Sequence, residues 1–213
     1  MLLWVTGMCS HAQVGFSFAT DISLFRNFSP DQQFWAVGET VQSNVHFTKK
    51  QSAYAWISYY TPSKYSNDFT ANAKSATTSP SSIPFTATAQ WKTGHVSLGW
   101  KHYFKGSYDA ETGYNIYSIA GFGLMFTKVE NTFSTAVDTS LYTAPTLAGT
   151  DKIYRLTLDV GLGLEYPISG NFYLYGDLRT WLPTSDYPSP YLHNNKNVPL
   201  PAIISLGLRI PFY

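Results

Sequence analysis

The sequence is short of charge, of cysteine and of long apolar runs, and each shortage excludes something. Only 13% of its 213 residues are Asp, Glu, Lys or Arg, against about 25% in an average soluble domain. A solvated exterior wants roughly 25–35% charge, which this chain does not supply. A single cysteine, Cys9, rules out a disulfide framework and a thiolate metal cage. No stretch approaches the ~18 consecutive apolar residues of a spanning helix. The net charge of +1 leaves no electrostatic footprint for nucleic acid. Phosphate-binding loops are missing too. Gly121-Phe122-Gly123 and Gly161-Leu162-Gly163 lack the later glycine and the strand-to-helix setting.

Aromatic residues are plentiful instead, at 17%, with 16 Tyr and 6 Trp. Such residues gather where a membrane meets water. Little charge, many aromatics and no apolar helix together point to a membrane crossed by strands.

The clearest strand is IYRLTLDVGLGLEY, residues 153 to 166. Tyr154, Leu156, Leu158, Val160, Leu162, Leu164 and Tyr166 alternate with Arg155, Thr157, Asp159, Gly161, Gly163 and Glu165. Successive side chains of a strand point to opposite faces, so one face is apolar and the other polar. The twelve steps from Tyr154 to Tyr166 span roughly 40 Å at about 3.3 Å per residue. Tilted by about 45°, they project to roughly 28 Å, close to the ~25 Å apolar band of an outer-membrane barrel. Two glycines and scattered charges make a poor soluble surface. The apolar face therefore looks at lipid, and the polar face lines a lumen.

The alternation recurs in eight segments: 13–20, 34–47, 52–60, 95–104, 115–126, 153–166, 172–182 and 202–212. In 52–60 both faces carry aromatics, and lipid and lumen sides are left open. In 34–47, Glu39 interrupts the apolar face. The links alternate in length. Short ones follow 47 and 166, and another begins at Lys105. Longer ones, rich in Ser, Thr, Pro and Asn, run roughly over 25–33, 61–85, 129–150 and 183–200. Short turns at one end and long loops at the other describe an eight-stranded antiparallel up-and-down transmembrane barrel. On this reading Phe122, Leu124, Leu158, Val160, Leu162, Leu206 and Leu208 face outward.

The first twelve residues, MLLWVTGMCSHA, read as the end of a secretory signal truncated at its basic start, with cleavage expected after Ala12. A lipoprotein reading of Cys9 is weaker, because Met8 stands where a small residue is usual. The barrel would occupy residues 13–213. At its end, Ser205, Gly207, Ile210 and Phe212 follow the pattern of a C-terminal assembly signal, with Tyr213 as one residue more. On these residues the chain resembles the small eight-stranded outer-membrane barrels of the OmpA/OmpX type. It is similar in particular to porin-like barrel proteins of the Bacteroidota, whose signals often end in Ala-Gln, as at Ala12-Gln13. The resemblance implies outer-membrane lipid and the assembly machinery as partners. It implies no cofactor and no catalytic residue.

An eight-stranded barrel has room inside only for packed side chains. Gly38, Gly99, Gly121, Gly123, Gly161, Gly163 and Gly207 would make space for neighbouring tyrosines and charges. Lys101, Arg155, Asp159, Glu165, Asp177, Arg179 and Arg209 would pair as a lumen charge network, because unpaired buried charge is costly. Asp159 and Glu165 are too far apart along a strand for an acid/base pair. Facing residues share a side, so paired numbers sum to an even value. A sum of 336 would set Asp159 opposite Asp177, two like charges. A sum of 338 places Asp159 opposite Arg179 and Gly163 opposite Tyr175, and 338 is the expected register.

His95 and His102 differ in parity and face opposite sides, so they do not form a metal pair. His95-Val96-Ser97 is the one pattern to weigh as an enzyme, since outer-membrane lipid A hydrolases use His-x-Ser with a carboxylate. A nucleophile needs its base within hydrogen-bond reach, and both residues face the lumen. The expected function is therefore non-enzymatic, exercised through extracellular loops or outer wall as binding, adhesion or envelope stabilisation. The rivals are the lipid A hydrolase, an accessory subunit of a larger outer-membrane machine, and a soluble lipocalin-like carrier.

Overall fold

The computed structural model describes residues 14–169, 171–184, 189–195 and 200–212. The expected signal over 1–12, its cleavage at Ala12-Gln13, and Tyr213 lie outside the described residues. Among the described residues every regular element is a strand. They run β1 (Gly15–Asn27), β2 (Phe34–Thr48), β3 (Gln51–Ala73), β4 (Ser82–Lys105), β5 (Asn115–Phe133), β6 (Tyr142–Thr143), β7 (Gly149–Ser169), β8 (Phe172–Pro183) and β9 (Pro201–Phe212).

All pairings are antiparallel. The sheet order is β2-β1-β9-β8-β7-β5-β4-β3, and β3 pairs back with β2 to close a ring of eight strands. The short β6 adds to β3 outside the ring, through Asn72 with Thr143 and Ala73 with Tyr142. Closure removes the free edges that an open sheet would expose.

Large apolar side chains cover the outside. Phe122, Leu206 and Leu162 are 71%, 62% and 59% exposed, Leu124, Leu158 and Leu208 are exposed too, and Val160 is half-exposed. The third strand resolves as well: Tyr54, Trp56, Ser58 and Tyr60 point inward, and Ala55, Ile57 and Tyr59 outward. Glu39 does stand on the outer face.

Five strands are longer than the sequence pattern indicates. The stretch expected as a loop over 61–85 is mostly strand, since β3 continues to Ala73 and β4 begins at Ser82. Likewise β5 reaches Phe133 and β7 begins at Gly149, inside the expected loop 129–150. β1 continues to Asn27. The physical reason lies on the outer face. Beyond the girdle the exposed positions of β3 are Lys64, Ser66 and Asp68, and those of β7 are Lys152 and Thr150. No lipid demands apolar residues there, so the alternation loses its contrast while the hydrogen-bonded ladder continues.

Candidate functional site

The lumen is filled in layers. At the short-turn end, Glu165 accepts from Lys101 Nζ at 2.8 Å, from Arg209 Nε at 2.8 Å and from Tyr103 Oη at 3.0 Å. Arg209 also donates to the carbonyl of Tyr108 at 2.8 Å. That carbonyl belongs to the turn between β4 and β5, which folds across the mouth. The Tyr108 ring stacks on His46 at 4.1 Å, its amide donates to the Lys49 carbonyl, and Lys49 pairs with Asp109 at 3.3 Å. Tyr173 Oη donates to the Ala110 carbonyl on the same turn. Hydrogen bonds from Ser107 and Lys49 hold the Asp109 carboxyl below its ordinary pKa, outweighing partial burial.

A second cluster crosses the middle. Arg179 Nη2 donates to Asp21 Oδ2 at 2.6 Å, and its Nε lies 3.5 Å from Asp177 Oδ2. Tyr175 Oη donates to Asp21 at 2.9 Å, and Tyr117 Oη donates to Asp177. Beside it, His95 Nδ1 accepts from Trp56 Nε1 at 3.2 Å. Its Nε2 lies 2.9 Å from Thr157 Oγ1 and 3.4 Å from Asp159 Oδ1.

All seven charges singled out in the sequence are buried in the lumen, as are Asp21 and His95. Ionised, Lys101, Arg155, Arg179 and Arg209 balance Asp21, Asp159, Asp177 and Glu165. Asp21 lies just beyond Thr20, where the expected first strand ends, and β1 in fact continues through it. Its odd parity, continuing Gly15, Ser17 and Ala19, was the available signal.

The expected hairpin register is wrong by two residues. β7 and β8 pair Asp159 with Trp181, Gly161 with Arg179, Gly163 with Asp177 and Glu165 with Tyr175, a sum of 340. The proposed Asp159–Arg179 bridge is therefore absent. Each charge finds its partner across the lumen rather than on the neighbouring strand, Asp159 at His95 and Arg179 at Asp21. The register also sets the Trp181 indole on the His95 ring, stacked at 3.9 Å. Glycines supply the room. A Cβ at Gly163 would meet the Tyr117 ring, one at Gly207 the Tyr175 ring, and one at Gly99 or Gly121 the Tyr54 hydroxyl.

The long-loop end is aromatic. Phe25, Phe34, Tyr60, Tyr65, Trp91 and Trp181 pack with Met125, Val129, Ile153 and Ile203, and Leu192 closes the cluster from above. Leu192 lies on the 189–195 segment, whose Asn194 carbonyl accepts from Gln32 and whose Tyr191 carbonyl accepts from Asn131.

This geometry bears on the hydrolase reading. Ser97 Oγ donates to the Phe122 carbonyl at 3.2 Å and makes no bond to His95. Thr157 Oγ1, the hydroxyl His95 does touch, gives its own proton to Asp159 at 2.7 Å. Trp56 and Trp181 cover the imidazole, so a lipid ester has no approach to it. Among the described residues no group of three or more His, Cys, Asp or Glu gathers as a metal site.

Above the lumen, β3, β4 and β5 continue as an extension of the sheet. Its inner face carries a small core of Ala71, Phe85, Ala87 and Tyr142, with Phe69 and Phe133 against it. Its outer face is hydroxyl-rich. Ser66 bonds Thr88 at 2.8 Å, Thr86 donates to Asp68 at 2.7 Å, and Thr132 donates to the Thr88 carbonyl at 3.3 Å.

No protein-family model and no curated protein sequence matches the chain. Solved structures do. Neisserial surface protein A superposes with a TM-score of 0.57 at 13% identity, covering 92% of this chain and 97% of that one. OprG of Pseudomonas aeruginosa gives 0.53 at 12% identity, covering 95% and 98%. Ail, the attachment invasion locus protein of Yersinia pestis, gives 0.51 at 12% identity, covering 93% and 99%. The likeness is one of fold. Together with the apolar belt, it is the fold of a bacterial outer-membrane β-barrel.

Proposed function

We propose that the chain is a non-enzymatic barrel of a bacterial outer membrane that works at the cell surface, presenting its sheet extension to a hydrophilic partner. The observation that carries this reading is the contrast between a lumen filled with buried side chains and a paired sheet extension with a small core of its own. A packed lumen serves as a membrane anchor and not as a wide pore. The extension supplies a firm, hydrogen-bonding face, and rigid elements position binding groups better than loops do. Ail, of the same fold, is known in complex with the heparin analogue sucrose octasulfate, so a barrel of this fold has room for a polar ligand. Kinship with the Bacteroidota barrels rests on the Ala12-Gln13 junction and the strand pattern.

The test is surface display of the full chain beside a variant with residues 67–87 replaced by a turn, each assayed on glycan and extracellular-matrix arrays. Binding by the full chain and loss in the shortened one is expected. Steady conductance in a planar bilayer would overturn the closed-anchor reading, and a lipid A mass shift on expression would revive the hydrolase.

A further inference from the structure

Three lysines stand in one row on the outer wall. The register places Lys92 of β4 opposite Lys128 of β5, and Lys128 opposite Lys152 of β7. All three are exposed on the lipid-facing side. Like charges directly opposite one another weaken a sheet, so the row calls for a counter-charge. Among the described residues the row has one ion pair, Glu130 at 3.3 Å from Lys128, and both are about half exposed.

The height of the row is informative. The next outward residues toward the membrane are Phe126 on β5 and Tyr154 on β7, with Tyr59 on β3 beside them. Tyr154 is the girdle residue of the long-loop end. The lysines therefore stand about 7 Å further along the strands, at roughly 3.3 Å per residue, in the plane of lipid headgroups. Gly94 lies in the same row as Phe126 and Tyr154. Lacking a Cβ, it lets the Phe126 ring lie against the backbone. The result is a recess of about 250 Å³ with lysines above and aromatic rings below. Beneath the rings, Val96, Leu124 and Leu156 continue an apolar track. The chemistry is that of an amphiphile with an anionic head.

We propose that this recess binds the phosphorylated headgroup of an outer-leaflet lipid. Lys92, Lys128 and Lys152 hold the phosphate, and the acyl chain lies over Phe126, Tyr154 and the leucines below. Phosphate suits the row because ammonium groups act as point charges and can converge on one anion from three strands. The inference rests on the outer-membrane reading and adds to it a ligand class and an address.

The experiment uses the full chain in phosphatidylcholine nanodiscs containing bis-phosphorylated lipid A, its dephosphorylated form, or neither, with bound lipid counted by native mass spectrometry. Preferential retention of the phosphorylated form is expected. Each Lys→Gln change should weaken retention about fivefold and the triple variant on the order of a hundredfold. The triple Lys→Arg variant should retain it, and Lys50→Gln, at the opposite end, should change nothing. Equal retention of both lipids, or an unaffected triple variant, overturns the proposal. Full displacement by inorganic phosphate would also overturn it, since the site would then take a free anion. A chain that never enters the nanodisc fails the outer-membrane reading instead, so the two failures are distinguishable.

Discussion

The two ends of the lumen are filled by opposite chemistries. The short-turn end is ionic, with Glu165 held between Lys101 and Arg209 under the Tyr108 turn. The long-loop end is aromatic, with Phe25, Tyr60, Trp91 and Trp181 packed under Leu192. Both ends are packed with buried side chains, but they fail differently. An aromatic cluster loses stability in proportion to the atoms removed. An ionic cluster loses little if both charges go and much if only one does. The ionic end and the middle clusters are therefore sensitive to the loss of one charge, whereas the aromatic end responds in a graded way.

The largest expected effect follows from that asymmetry. Glu165→Gln leaves Lys101 and Arg209 buried beside one another without their shared carboxylate, at a cost of roughly 3–5 kcal/mol. Adding Lys101→Met to that variant should recover part of the loss. Urea titration of the refolded barrel in detergent would show this as non-additive midpoints. Strict additivity would mean that the three groups do not act as a unit.

A second change contrasts inside with outside. Arg179 sits opposite Gly161 in the lumen with carboxylate partners. Leu162→Arg places the same side chain one residue on, facing lipid, at a cost of about 2–4 kcal/mol near the midplane. Refolding into lipid vesicles, followed by the mobility difference between boiled and unboiled samples, would report it. Unimpaired insertion would show that this wall does not face lipid.

The inside-outside assignment was the most legible part of the sequence, because a period of two is a property of each strand alone. Lys101, Asp159 and Arg209 could be placed in the lumen from parity without knowing their neighbours. Register could not be read in the same way. The sums of 336 and 338 differ only in what β7 and β8 offer each other, whereas the structure adopts 340, with Trp181 stacked on His95 of β4 and Arg179 reaching Asp21 of β1. Those partners come from distant parts of the sequence and meet only on closure of the ring. The tri-lysine row was illegible for the same reason, since Lys92, Lys128 and Lys152 become neighbours only through two registers. The sheet extension was missed because its outer face has no lipid to write an apolar pattern into it.

At the aromatic end a graded response is expected. Ile203→Val removes one buried methylene from the cluster and should cost about 0.5–1.5 kcal/mol, with no change in the pH dependence of unfolding. A loss as large as that of Glu165→Gln would erase the distinction between the two ends.

The smallest effect tests the lid over the aromatic end. His193 packs edge-on against Tyr65 at 5.0 Å and Phe69 at 5.1 Å, and its Nδ1 accepts from Asn67 Nδ2 at 2.8 Å. Accepting that bond requires the unprotonated nitrogen. Burial lowers the pKa of this imidazole below its ordinary value. Below pH ~6.5 the unfolded chain therefore takes up a proton that the folded lid resists. The contribution of the neutral ring is intact above that pH and declines as the pH falls through the unfolded value. Protonation should loosen residues 189–195 before it disturbs the barrel. Hydrogen exchange at pH 5 and pH 7.5 should show lower protection at Leu192 under the acidic condition, with Ile203 unchanged. His193→Gln, which keeps an acceptor but cannot titrate, should remove the difference. If the difference persists in that variant, another titrating group tunes the lid and His193 does not.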